Sequence, residues 1–207
     1  MEKLRQFVEK TFCRLIAAVK AAIPPQVEIR PPFCVAVGFS DDNARGVQEI
    51  LSALPSGFPV PLLLVGLGVV DSSWIEELKS RSTIPVRYAV DAEILPELGR
   101  SGALLAPSRQ SLFLERGRLR LTGHSTETSL DELFESLARE LGPRAVGCLL
   151  TGEGTEGTRG LRALKNAGAL TLVPDQTWAR AATSVIPVPQ FAPALCRAAR
   201  IPFIQKA

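Results

Sequence analysis

The chain has 207 residues, 46% of them hydrophobic, enough for one domain with a full core and at most an appendage. Its 24 Lys and Arg residues nearly balance 21 Asp and Glu, and no long basic block occurs, which argues against nucleic acid as the main partner. No apolar run reaches the roughly eighteen residues of a membrane span, and the N-terminus lacks the continuous apolar centre of a signal peptide, so a cytoplasmic protein is expected.

Leu4, Phe7, Val8, Phe12, Leu15, Ile16, Val19 and Ile23 fall at helical spacing on one stripe and predict an amphipathic helix over 2–23. Pro24 and Pro25 end it, and Pro31 and Pro32 keep the connection extended, so 1–32 reads as an appendage on a stiff linker. The stripe has three readings: it packs on its own chain, it forms a contact with a second copy or a partner, or it lies on a membrane surface.

Phe33–Val37 is an apolar run with two valines, the pattern of a strand buried on both faces. Gly38 is expected to release the backbone into a turn that presents Ser40, and Asp41, Asp42 or Asn43 to cap a helix over 44–54. A second buried strand over 61–65 ends in Gly66, Leu67 and Gly68 and leads to a helix reaching Arg81, capped by Asp71 or Ser72. Strands follow at 86–90 and 103–106, then a hairpin over 111–115 and 118–122 that turns at Arg116 and Gly117. A helix over 129–141 turns Leu130, Leu133, Phe134, Leu137 and Leu141 inward. The strand over 145–150 opens into Thr151-Gly152-Glu153-Gly154-Thr155-Glu156-Gly157, which feeds a helix to Asn166, a Gly168 cap, a strand over 170–173 and a last strand over 185–188. Alternating strands and helices predict a doubly wound, mainly parallel α/β sheet, whose ligand crevice lies beyond the strands' carboxyl ends.

The glycine-rich loop is a weak nucleotide signal: it lacks the Lys-Ser/Thr pair of a P-loop and follows a late strand. Cys13, Cys34, Cys148 and Cys196 show no Cys-x-x-Cys spacing, so neither a disulfide nor a zinc site is expected, nor any other metal or cofactor.

Three of these loops, taken in order, resemble the catalytic domain of the CheB chemotaxis methylesterase family. The resemblance spans about 33–200, in register through Gly117-Arg118-Leu119, Ser129-Leu130-Asp131 before Leu133-Phe134, Ala145-Val146-Gly147 and Leu149-Leu150-Thr151-Gly152. It implies a three-layer α/β domain that hydrolyses methyl-glutamate esters and deamidates glutamines on chemoreceptor helices, using a serine, a histidine and an aspartate. The family's nucleophile in Ala-Ser-Thr-Gly-Gly matches Phe39-Ser40-Asp41-Asp42-Asn43, where the serine remains but two acids stand where an oxyanion would develop. Its histidine, in Gln-His-Met-Pro, matches Leu67 within Gly66-Leu67-Gly68-Val69, and leucine cannot take the serine's proton. Its aspartate, in Gly-Met-Gly-x-Asp-Gly, matches Glu156, which has no imidazole to orient. The helical segment carrying Gly-Met-Pro before the family's final strand has no counterpart after Asp175. The segment before Phe33 is too short for a receiver domain, so phosphorylation control is expected to be absent.

Ser40 thus reads as a remnant nucleophile, with His124, the single histidine, as a candidate replacement base if it comes within hydrogen-bond reach. The crevice set comprises Phe39, Asp41, Asp42, Asn43, Gly66, Gly68, Thr151, Gly152, Glu153 and Gly154. Asp41, Asp42, Glu153 and Glu156 are expected to converge there. Either Asp41 or Asp42 caps the helix after Ser40 while Glu156 sits in the first turn of its own helix, or the carboxylates receive a cation, a metal or a partner's basic side chain. Three functions follow: a non-catalytic binding or scaffold module in chemosensory signalling, a surviving methylesterase or deamidase, or an assembly protein acting through helix 2–23, as in a homodimer.

Overall fold

The computed structural model describes residues 34–68, 72–96, 102–122, 128–151 and 155–203. The helix predicted over 2–23, His124, and Gly152 through Gly154 lie outside these residues. In chain order the elements are β1 (Cys34–Ser40), α1 (Ala44–Ala53), β2 (Leu62–Leu67), α2 (Ser72–Arg81), β3 (Val86–Tyr88), β4 (Ala103–Leu105), β5 (Leu112–Glu115), β6 (Arg118–Leu121), α3 (Leu130–Glu140), β7 (Ala145–Leu150), α4 (Thr158–Asn166), β8 (Leu170–Val173), β9 (Ser184–Val185) and α5 (Phe191–Ala198). Seven strands form one sheet in the order β3-β4-β2-β1-β7-β8-β9, every neighbouring pair parallel. β5 and β6 stand apart as the expected antiparallel hairpin, turning through Arg116 and Gly117, both at positive φ.

Apolar residues on both faces of the central strands feed two cores. Val35, Val37 and Phe39 of β1 pack with Val47, Ile50 and Leu51 of α1 and with Phe191 and Leu195 of α5. Cys34 and Ala36 face the other way, with Leu133, Phe134 and Leu137 of α3 and Leu161 and Leu164 of α4. Cys34, Cys148 and Cys196 are buried free thiols, and burial pushes all three up from the ordinary thiol range, so they behave as small apolar groups.

Three local expectations give way to packing. Gly38 does not end β1, which continues to Ser40; a Cβ at Gly38 would lie 3.0 Å from Leu130 Cδ1 and 3.3 Å from Phe134 Cζ, so the glycine makes room for α3 within the strand. Of the three candidate caps of α1, Asn43 stands at the N-cap, without a side-chain cap bond, while Asp41 and Asp42 fall in a 3-10 turn, Asp41–Asn43, that precedes the helix. The last strand is Ser184–Val185 rather than 185–188, because Pro187 has no N–H for a ladder and leads into a 3-10 turn at Val188–Gln190. The connection before it carries a three-residue 3-10 turn, Gln176–Trp178.

Candidate functional site

Chain order takes β2, β4 and β3 to one side of β1 and β7, β8 and β9 to the other, so the topological switch lies between β1 and β7. The crevice for a ligand in such a sheet opens there, at the carboxyl ends. Ser40 is the last residue of β1, paired in parallel register with Leu67, the last residue of β2. On the other side Phe39 pairs with Leu150, which brings Thr151 beside Ser40. Strand alternation puts the three on one face: Gly38 meets Leu130 and Phe134, Leu63 and Val65 share the α3 and α4 core, and so does Leu149.

This face is furnished sparingly. Ser40 and Leu67 are half-buried, and Leu67 packs against the α3 and α4 core. Asn43 Nδ2 donates to Ser40 Oγ at 3.1 Å, so the serine hydroxyl serves as an acceptor here. Phe39, expected in the crevice, points the other way: it is 1% exposed and its ring lies 5.3 Å from that of Trp74. Gly66 is buried within β2. Gly68 has φ +100°, and a Cβ there would fall 2.7 Å from Asp41 Oδ2, so the Asp41 carboxylate covers the exit of β2. Thr151 is 4% exposed; its carbonyl accepts from Trp178 Nε1 at 3.3 Å, but its hydroxyl has no partner among the described residues.

Glu156 goes neither to its own helix nor to a cluster of carboxylates. Gly157 caps α4, and the Glu156 carboxylate crosses to the start of α3, where Oε1 accepts from Leu130 N at 2.8 Å, Ser129 Oγ at 3.1 Å and Asp131 N at 3.3 Å. An anion on exposed amides at a helix N-terminus is favourable by charge and by hydrogen bonding. α3 returns the contact: Asp131 Oδ1 accepts from Gly160 N in the first turn of α4 at 2.6 Å. Ser129 completes the α3 cap by accepting from Glu132 N. Among the described residues no three His, Cys, Asp or Glu side chains are grouped to hold a metal ion.

Burial lifts the Asp131 carboxyl above its ordinary value of 3.8, and the nearby Glu156 and Glu135 add to this, while the Gly160 N–H and Arg159 draw it back. Because the folded value exceeds the unfolded one, ionising Asp131 costs stability; the cost is absent below 3.8 and complete above the raised value. Asp131→Asn keeps an acceptor for Gly160 N without the charge. Its stability relative to the native chain is expected to improve as pH rises through that window, whereas Asp131→Ala is expected to lose about 1–3 kcal/mol for the orphaned N–H. Urea unfolding at several pH values measures both, and a constant Asn-minus-Asp difference would contradict the assignment.

Sequence reasoning placed Ser40, Leu67 and Thr151 on one crevice but missed Asp131 and Gly160. A signal existed in Asp131, an acid in the first turn of a strongly amphipathic helix, yet its partner lies in another helix.

A model of the CheB methylesterase family matches residues 35–190, from the start of β1 to the turn before α5. The chain belongs to the CheB methylesterase family. A Nitrosospira multiformis protein named protein-glutamate methylesterase/protein-glutamine glutaminase is 32% identical over 94% of this chain and 62% of its own length. Proteins with the same designation from Moorella thermoacetica, at 33% identity, and Pseudomonas syringae, at 34%, are covered over 41% and 54% of their lengths and cover 83% and 87% of this chain. The chain therefore spans between 41% and 62% of the length of these relatives. The CheB methylesterase catalytic domain of Thermotoga maritima superposes with a TM-score of 0.68 at 21% identity, over 81% of this chain and 99% of that one, and so has the same fold.

Proposed function

We propose that this chain is a CheB methylesterase-like domain that no longer hydrolyses esters and serves as a binding or scaffold module in bacterial chemosensory signalling. The observation that carries this reading is Leu67, in register beside Ser40 on the crevice face where the family pattern has a histidine. A serine hydroxyl is a poor nucleophile at neutral pH until a neighbouring base takes its proton, and an alkyl side chain accepts none. Two further observations support it. The Glu156 carboxylate is held by the amides of α3, so it is not free to orient a base. Asp41 and Asp42 follow Ser40 directly, and carboxylates so close in sequence to the serine oppose the negative charge that acyl transfer develops.

The relatives' shared designation favours a second reading, a methylesterase or deamidase that uses Ser40 with a non-standard base such as His124. One assay separates the two. Methyl ester hydrolysis on methylated chemoreceptor, and on a small activated ester, is expected to be the same for the native chain and Ser40→Ala, and no faster than the blank. Turnover that disappears with Ser40→Ala would establish the hydrolase and overturn the proposal.

A further inference from the structure

We infer that the surface around Tyr88, Val90 and Ile94, at the outer edge of the sheet, docks a protein partner that presents carboxylates beside apolar side chains, as an acidic amphipathic helix does. This surface adjoins β3, at the far end of the order β3-β4-β2-β1 from Ser40, and its role does not depend on whether Ser40 hydrolyses an ester.

Tyr88, Val90 and Ile94 are 39%, 59% and 64% exposed, and they are the large hydrophobic side chains left on the surface among the described residues. Exposed apolar residues scattered singly are ordinary, but here all three fall in one short segment, which marks a contact surface. The segment is firmly held. Ala92 N donates to Leu119 O at 2.8 Å, Leu119 N to Glu93 O at 2.8 Å and Leu95 N to Gly117 O at 3.0 Å, so 92–95 lies against β6 as a third strand of the hairpin. Ile94 stands opposite Arg118, Arg118 opposite Glu115, and Arg120 opposite Phe113, which places these side chains on one face. Leu95, Leu112, Leu114 and Leu119 are buried in the α3 and α4 core on the other face. Ile94 therefore contributes nothing to that core, and a polar residue would serve the fold as well.

The edge itself is closed to an added strand. Arg87 Nη1 donates to Tyr88 O at 3.0 Å, Val90 N donates to Glu93 Oε1 at 2.9 Å, and the Arg87–Glu93 ion pair at 2.7 Å locks both. A partner must then be held by side chains, and the charges decide which kind. The carboxylates of this surface are already engaged: Glu93 by Arg87, Asp91 by Leu121 N and Arg120, Glu115 by Arg120 at 4.0 Å, and Glu140 by the amides of Arg116 and Gly117. Arg116 and Arg118 are exposed and pair with no carboxylate among the described residues; Arg118 donates only to the Ala92 carbonyl, at 2.9 Å. What the surface lacks is negative charge beside its apolar patch, and glutamates flanking leucines on a helix supply it. An anionic membrane fits less well, because Asp91, Glu93 and Glu115 would face its headgroups.

The test uses the full chain and fluorescein-labelled helical peptides of one Leu/Ala frame carrying Glu, Gln or Lys beside the leucines, with binding read by anisotropy. The Glu peptide is expected to bind about fivefold tighter than the Gln peptide, the value of two partly exposed ion pairs, and the Lys peptide weakest. Arg116→Gln/Arg118→Gln should erase the preference for Glu, and Val90→Ser/Ile94→Ser should weaken the Glu and Gln peptides alike by several-fold. All four side chains are exposed, so both proteins are expected to keep the native circular dichroism spectrum. Equal affinity of the Glu and Gln peptides, no binding by either, a Glu preference that survives in Arg116→Gln/Arg118→Gln, or affinities unchanged in Val90→Ser/Ile94→Ser would each overturn the inference. So would co-sedimentation with phosphatidylserine/phosphatidylcholine vesicles that Val90→Ser/Ile94→Ser abolishes, which would make the occupant a lipid surface. Self-association of the native chain that the same substitutions abolish would likewise overturn it and make the occupant a second copy.

Discussion

Gly160→Ala is expected to destabilise the protein by about 3 kcal/mol, although alanine is worth about 1 kcal/mol more than glycine in a helix interior. Gly160 lies in the first turn of α4, where a Cβ would fall 2.6 Å from the Asp131 carbonyl oxygen, 2.8 Å from Asp131 Cα and 2.8 Å from Phe134 Cβ. Two of these are backbone atoms of α3, so no rotamer change relieves the clash and the helix itself must move. Such a movement would stretch the Asp131–Gly160 bond at 2.6 Å and the Glu156 contacts at the head of α3. Gly57→Ala is the matched control, since a Cβ there meets nothing within 4 Å, and its effect is expected within about 0.5 kcal/mol. Urea unfolding followed by circular dichroism compares the two, with a shift of midpoint at unchanged slope for Gly160→Ala. A Gly160→Ala protein as stable as the native one would show that the two helices are not in close contact at this point.

Glu156→Ala follows, with an expected loss of about 2–3 kcal/mol. It leaves Leu130 N, Asp131 N and Ser129 Oγ without their acceptor, and hydrogen bonds to a charged partner contribute about 1.5–3 kcal/mol. Glu156→Gln retains a carbonyl oxygen on the same arm and gives up only the charge, which also relieves the repulsion that raises Asp131. It is expected to lose about 1 kcal/mol or less, in line with the size of a cap. The two substitutions distinguish a structural acceptor from a carboxylate kept for its charge. If Ala and Gln unfold at the same urea concentration as the native chain, Glu156 is not the cap of α3.

The expected architecture was legible because the strongest signals are local. The apolar runs of β1, β2 and β7 are too short for helices and carry no alternation, which marks strands covered on both faces. The amphipathic spacing of Leu130, Leu133, Phe134 and Leu137 marks α3, and Arg116-Gly117 between alternating segments marks the hairpin. Ser40, Leu67 and Thr151 could be assigned to one crevice because each ends or follows a parallel strand, and parallel strands bring their carboxyl ends together.

The same lack of alternation concealed what each residue faces. In a strand buried on both sides, nothing local says that Phe39 turns toward Trp74, or that Gly38 stays in the strand to admit Leu130 and Phe134. Capping was misread for a related reason. An acid next to a helix start predicts a cap on that helix, but Asp41 lies over Gly68, and Glu156 crossed to α3, whose first amides lie within its reach. By itself the sequence determined the order of strands and helices, the serine at the end of the first strand, and the leucine at the end of the second, since these depend on short-range patterns of polarity. Only the tertiary structure decided that Leu67 lies in register with Ser40, that Asp131 and Glu156 exchange places on each other's helices, and that the Thr151 hydroxyl is buried without a partner among the described residues. Those are contacts between residues distant along the chain, which exist only once the sheet and its helices have packed.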